Sequence, residues 1–298
     1  MQRLAAVQLQ DKKRVGNWSG TGAGKTLSAI LASRVINAYL TVICCPNSVV
    51  DGWEKAILNI FPDSKVAKKT FAPDWTIPNS PVLSANRDFE GKVNKYLILN
   101  YEMFQQPDSA NRVRSLLENE QIDFIVIDEI HYTKQRQVDD MSQRKQLIQA
   151  LITTANEHNP DLHIIGMSAT PVINNLQEGK SLVELVTGVA HDELDIRPTL
   201  PNCMRLHQRL VTLGIRWMPQ YKMGYDQIEI PVDCGEFLDD IRALGRNGSP
   251  LALEKILTLA RLPVICQQIQ PKTLIYTHYV EGIDRLLRDI ATASCIKT

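Results

Sequence analysis

Residues 19–26 read Ser-Gly-Thr-Gly-Ala-Gly-Lys-Thr. Glycine has no Cβ, so Gly20, Gly22 and Gly24 can adopt the φ values that turn backbone N–H groups inward. Placed ahead of a helix, such a run makes a cradle for anionic oxygens. Ser19, Gly20, Thr21, Gly22, Ala23 and Gly24 are the predicted cradle. Lys25 would reach the β- and γ-phosphates of a nucleotide, and the Thr26 hydroxyl would sit on Mg²⁺. The pattern is G-x-x-x-x-G-K-[ST] with one departure, Ser19 at the first glycine. A plain glycine turn would not need the Gly24-Lys25-Thr26 run, so ATP and Mg²⁺ are the expected ligands.

A second group supplies the acid chemistry. The apolar run "FIVID" ends in Asp128-Glu129. Carboxylates at the C-terminal end of a buried strand lie where ligands bind in open α/β sheets. Asp128 is expected to hold Mg²⁺ and Glu129 to orient or deprotonate the attacking water. His131 follows closely, and "MSATP" brings Ser168, Ala169 and Thr170. The hydroxyls of Ser168 and Thr170 could hydrogen-bond His131 or the γ-phosphate network, linking the nucleotide site to the next element. In "CCPNSVVDGW" the Ser48 hydroxyl, or the start of a helix, could grip a backbone phosphate, with Trp53 packed behind. Asn100 and Tyr101 end another strand-like run, and Thr277 a further one.

These residues need a frame. Five apolar runs, 41–45, 96–100, 123–128, 163–167 and 273–277, read as strands buried on both faces, the mark of a parallel sheet. "RVGNW" before the glycine loop reads as a short, weak strand. Leu27, Ile30, Leu31, Val35 and Ala38 follow the loop at helical spacing. Leu147, Ile148, Leu151 and Ile152 share a helical face, as do Ile283, Leu286, Leu287 and Ile290. Alternating strands and helices predict an α/β doubly wound sheet. Beyond residue 172 helical patches dominate, broken by one strand-like "DQIEIPVD". "KVAKK" (65–69) and "PDWTIPNSP" (73–81) read as surface loops.

The 298 residues suffice for about two domains. Lysine plus arginine and aspartate plus glutamate both number 33, so any nucleic-acid groove must be locally basic. None of the six cysteines is in C-x-x-C spacing, which argues against zinc or a disulfide framework and fits a reducing cytoplasm. No apolar run reaches the roughly 18 residues of a membrane span.

The order of motifs resembles a superfamily-two helicase-type motor, most closely the Swi/Snf-like branch. "SGTGAGKT" looks like motif I; a small residue at the Ser19 position is common among helicase-type ATPases. "CCPNSVVDGW" is similar to motif Ia, "YLILNYEMF" to motif Ib and "DEIHYTK" to the DEAH box with its lysine. "GMSATPVINNLQE" resembles motif III with the Pro-x-x-Asn-Asn-x-x-Glu extension, and "KTLIYTHYVEGIDRLL" resembles motif IV. "RLVTLGIRWMPQY" is loosely similar to the segment leading toward a second lobe. DEIH replaces DEAH, and Ser-Ala-Thr replaces a Gly-Thr-Pro form.

The resemblance implies a RecA-like ATP-binding lobe at 1–185, a mostly helical linker or insertion at 186–270 and the start of a second RecA-like lobe at 271–298. Motifs V and VI, which carry the second lobe's arginines, are not found. The chain thus reads as part of a longer protein, poorly active when isolated. The adenine-reading glutamine stays open among Gln2, Gln8 and Gln10. The implied function is ATP hydrolysis that drives movement on double-stranded DNA, with partner subunits unspecified. The alternatives are a strand-separating DNA or RNA helicase and, in a different class, a nucleotide-gated nucleic-acid-binding module without useful turnover.

Overall fold

The computed structural model describes residues 2–76, 93–133, 142–172, 174–220, 228–245, 248–270, 273–275 and 288. The chain divides into two compact units, Met1–Tyr221 and Lys222–Thr298. In the first, the elements run α1 (Gln2–Lys12), β1 (Arg14–Asn17), α2 (Lys25–Val35), β2 (Leu40–Cys45), α3 (Val50–Ile60), β3 (Lys65–Lys68) and β4 (Lys95–Asn100). They continue as α4 (Ser109–Asn119), β5 (Phe124–Asp128), α5 (Gln143–His158), β6 (His163–Met167), α6 (Leu176–Thr187), α7 (Leu200–Thr212) and β7 (Gly214–Ile215).

The seven strands form one sheet in the order β3-β4-β2-β5-β6-β1-β7. Every pairing is parallel. Parallel strands need crossovers, and the helices that make them cover both faces. Along β2 the pleat sends Leu40, Val42 and Cys44 into one core with Val113, Leu116, Ile148, Leu151, Leu182 and Leu206. Ile43 and Cys45 enter the other, with Ala5, Leu9, Ala29, Ile30, Trp53 and Ile57. The expected RecA-like α/β sheet is therefore present.

Register positions the chemistry. Asp128 lies opposite Met167, and Met167 lies opposite Asn17. The loops leaving β1, β5 and β6 thus start from one row at one edge of the sheet.

Several expectations need correction. "KVAKK" is not a loop: Lys65–Lys68 pairs with β4 as the edge strand β3. Lys65 and Lys68 flank Val66 and Ala67 along it, as an exposed edge tolerates. In α2, Leu27 and Val35 face solvent, and the packed face is Ser28, Ala29, Ile30, Ala32 and Ser33. Small side chains here let α1 and α2 share one face of the sheet. The strand-like run after residue 225 is irregular from 228 onward, where described, and Ile228 is 77% exposed. Its alternation imitates a strand but meets no sheet there. Residues 273–275 are likewise not a strand. Tyr276, Thr277 and the apolar face of 283–290 lie outside the described residues, as do 77–81 of the proline-rich stretch.

The second unit contains α8 (Leu238–Ala243) and α9 (Pro250–Gln268). Ser249 caps α9, its side chain accepting from the Ala252 N–H. The boundary at 221/222 falls inside the stretch read as a helical linker, because α7 and β7 pack onto the first sheet.

Burial holds the Cys44 thiol far above its ordinary pKa and pushes Cys45 up to about 12. A thiol reagent at neutral pH should therefore label exposed Cys203 in the native protein and spare Cys44 and Cys45 until denaturant is added. Peptide mass spectrometry checks this. Early labelling of Cys44 would mean that β2 is not an interior strand.

Candidate nucleotide site

At the end of β1 the chain stays against β7 and its continuation. The Trp18 N–H donates to the Ile215 carbonyl and the Gly20 N–H to the Trp217 carbonyl. The Ser19 hydroxyl accepts the Trp217 N–H at 3.1 Å. This accounts for the departure at the first motif position: Ser19 is fully buried and uses its oxygen as a peg for the neighbouring segment. The loop then turns through Gly22 (φ 72°) and Gly24 (φ 76°), left-handed values that suit glycine.

Helices α5, α6, α7 and α9 each begin with a side chain accepting a first-turn N–H. Helix α2 begins with Gly24 and, like α3, α4 and α8, has no such cap. The first-turn N–H groups of an α-helix have no intrahelical partner, and with the helix dipole they favour an anion. The cradle thus fits phosphate. Of the three candidate glutamines, Gln2 stands at the loop: a Cβ on Gly24 would come within 2.9 Å of its Nε2.

The Lys25 ammonium lies on the loop itself, donating to the carbonyls of Ser19 (3.0 Å) and Gly20 (3.1 Å). Burial lowers its pKa, and Glu129 and Asp128 act in the opposite sense. The lysine and the carboxylate pair therefore share one field across the row.

Asp128 is buried at the end of β5. Its carboxylate accepts the Trp53 indole N–H at 2.9 Å and the Glu129 N–H at 3.0 Å. The Tyr101 hydroxyl donates to its carbonyl at 2.5 Å. Burial pushes the Asp128 carboxyl above the usual range, and the Trp53 hydrogen bond opposes the shift. Glu129 moves the other way, below its ordinary value, chiefly through the hydrogen bond from His131. Adjacent carboxylates with opposed shifts suit different tasks. Asp128 and the Thr26 hydroxyl are the oxygen ligands a Mg²⁺ ion would take here, hard donors of the kind that ion prefers.

His131 joins two loops. Its Nδ1 lies 3.2 Å from Glu129 Oε2 and 3.0 Å from Ser168 Oγ. Ser168 Oγ also accepts the Thr170 N–H at 3.1 Å. Ser168 is buried, Ala169 half-buried and Thr170 exposed. Behind them, the Glu178 carboxylate accepts the Asn174 N–H (3.1 Å) and the Asn174 side-chain amide (2.8 Å), while Asn175 caps α6. The Asn-Asn-x-x-Glu pattern is thus a variant capping box that fixes the chain after the Ser-Ala-Thr loop.

The nucleic-acid candidates separate. Ser48 is exposed at the end of β2. Asn100 is buried and donates to Glu102 at 2.8 Å. Tyr101 is fully buried and cannot meet a nucleic acid with its side chain, because its ring packs in the core and its hydroxyl serves Asp128. Thr277, and the lysine after the DEIH run, lie outside the described residues. Sequence reasoning missed the roles of Trp53 and Tyr101 as supports of Asp128. Their signal was faint: an aromatic shortly after, or directly at, a strand end.

A glycine-rich loop after β1, an acidic pair at the end of β5 and a hydroxyl-bearing loop after β6 meet at one edge of a RecA-like sheet. A family model described as "Type III restriction enzyme, res subunit" matches residues 1–173, and the chain belongs to that family. No curated protein matches the chain. Among solved structures, it is similar to a Sulfolobus solfataricus SWI2/SNF2 ATPase core in complex with dsDNA. The identity is 14% and the TM-score 0.48, over 73% of this chain and 43% of that one. The chain thus spans less than half the length of that relative.

Trp53→Phe keeps the aromatic bulk and removes the donor to a buried carboxylate. It should lower the unfolding free energy by about 1.5–3 kcal/mol, measured by urea denaturation. A loss below about 0.5 kcal/mol would show that the indole contributes packing alone.

Proposed function

We propose that this chain binds Mg-ATP in the loop 19–26 and is the nucleotide-binding part of an ATP-driven, DNA-dependent motor. The observation that carries this reading is the convergence at one sheet edge of the glycine loop with Lys25 on its carbonyls, the Asp128-Glu129 pair, and His131, which lies 3.2 Å from Glu129 and 3.0 Å from Ser168.

Lys25 leaves the Ser19 and Gly20 carbonyls to pair with the β- and γ-phosphates. Thr26 and Asp128 would hold Mg²⁺, which when bound would neutralise charge on the phosphate oxygens. Glu129, whose pKa the hydrogen bond from His131 lowers, orients the water and accepts its proton as the γ-phosphoryl bond breaks. His131 fixes the Glu129 carboxylate and passes its position to Ser168. The second lobe that completes such motors is proposed to begin within 271–298, after a linker within 186–270.

The proposed partner is double-stranded DNA, contacted along its backbone and moved without strand separation, as in the Swi/Snf-like branch. Ser48 is exposed at the relevant edge, and Lys69, Thr70, Asn100 and Arg112 line a cavity of about 460 Å³ beyond β3 and β4. Of these, Lys69 and Arg112 supply local positive charge on a chain of zero formal net charge, and backbone contacts of this kind are salt-sensitive. The family's description, a restriction-enzyme subunit, supports a DNA-acting setting. Described cysteines without disulfides support a reducing cytoplasm. Among the described residues, no helix is long and apolar enough to cross a membrane.

Two variants test the reading. Lys25→Ala should abolish ATP binding by calorimetry, and unchanged affinity would refute the phosphate-loop assignment. Glu129→Gln should keep Mg-ATP affinity within about 3-fold while cutting DNA-stimulated turnover of the complete motor by at least about 100-fold. Turnover at the wild-type rate would remove Glu129 from the mechanism.

A further inference from the structure

Large aromatics in this fold are mostly buried: Trp18 is 3% and Trp53 2% exposed. Trp217 is 50% exposed, and Met218 beside it is 57% exposed. Yet the Trp217 backbone is not loose. Its N–H donates to Ser19 Oγ and its carbonyl accepts the Gly20 N–H at 2.9 Å, so both its polar groups are spent on the first residues of the phosphate loop. Met218 and Pro219 press on the same loop: a Cβ on Gly20 would meet Met218 Sδ and Pro219 Cδ at 3.2 Å. Ile215 packs into the core on the α1 and α2 side. In extended chain a two-residue step returns the side chain to the same face. Gln2 also stands at this loop, its Nε2 2.9 Å from where a Cβ on Gly24 would lie.

We propose that Trp217 is the platform for the nucleotide base. The phosphates enter the cradle, and the purine of the same nucleotide lies outside it, stacked on the exposed indole. Aromatic faces attract bases regardless of their hydrogen-bonding edges. Trp217 therefore sets affinity for purine nucleotides as a class, without choosing adenine over guanine. It is a positioning residue: it holds the base so that the triphosphate reaches Lys25 in register, and it does not touch the reacting atoms. The backbone bonds to Ser19 and Gly20 keep the platform at a fixed height above the loop whatever side chain it carries. This inference rests on the nucleotide reading above.

The test compares ATP, GTP and inorganic tripolyphosphate by calorimetry on the 298-residue chain, with Trp217→Ala, Trp217→Phe and Lys25→Ala. Trp217→Ala should weaken ATP and GTP alike by roughly 10-fold and leave tripolyphosphate within about 2-fold of wild type. Trp217→Phe should restore most of the loss. If Trp217→Ala binds ATP as wild type does, the platform is refuted while the nucleotide reading stands. If it weakens ATP and tripolyphosphate equally, the residue serves only to hold the loop, and the platform is again refuted. If the wild-type chain binds none of the three ligands, or Lys25→Ala changes nothing, the nucleotide reading falls and takes the platform with it.

Discussion

A carboxylate taken out of water must be given donors, and most of the first unit is arranged around meeting that demand at Asp128. The donors come from different parts of the chain. Trp53 is on α3, two crossovers upstream, and the second N–H is that of Glu129 itself. Tyr101 follows β4 and secures the carbonyl. Each needs its own strand in place before it can reach. The parallel order sets β2 beside β5 and β4 on the far side of β2, and the turns leaving those strands then converge at one edge. Asp128 therefore acts as a checkpoint on assembly: a strand slipped in register would leave a buried charge without partners, a cost of several kcal/mol.

The same arrangement separates two neighbouring acids. Asp128 faces inward and is supported by neutral donors. Glu129 sits at φ 48°, an uncommon left-handed value for a side chain of its size, and turns outward to His131. Consecutive residues thus occupy different environments because the backbone bends between them. The bend also points His131 at Ser168, so the conformation of one residue serves both the polarity of the acids and the link between loops.

Much of this was legible in the sequence. Continuous apolar runs identify β2, β4, β5 and β6 because strands buried on both faces leave no polar positions to confuse the pattern. The glycine loop and the acidic pair are legible because few other demands need those residues at that spacing. Edge and support features were less so. Strand β3 sets two small apolar residues between lysines, which an exposed loop also can do. Ile228 and Ile230 alternate with Glu229 as a half-buried strand would, yet burial depends on a neighbour that local pattern does not encode. Tyr101 looked available for a partner because it ends a strand. Its burial follows from the turn that folds it back beneath Asp128, a three-dimensional fact with no local signature. Ser19 looked like a tolerated variant of glycine. Its hydroxyl has a use only because a residue nearly two hundred positions later lies beside it.

That pairing has a mechanical meaning. The chain leaves β7 parallel to the start of the phosphate loop, fastened to it by hydrogen bonds at Trp18, Ser19 and Gly20. Tension applied farther along the chain and directed along β7 would load those bonds together, in shear, and not peel them one after another. Parallel bonds sharing a load yield at higher force and with less extension than bonds opened in sequence. A pull of that direction would reach the cradle as a stiff displacement, and strain imposed at the cradle would travel outward by the same route. The exit from this unit is thus built as a tie rod whose inner end is the nucleotide loop.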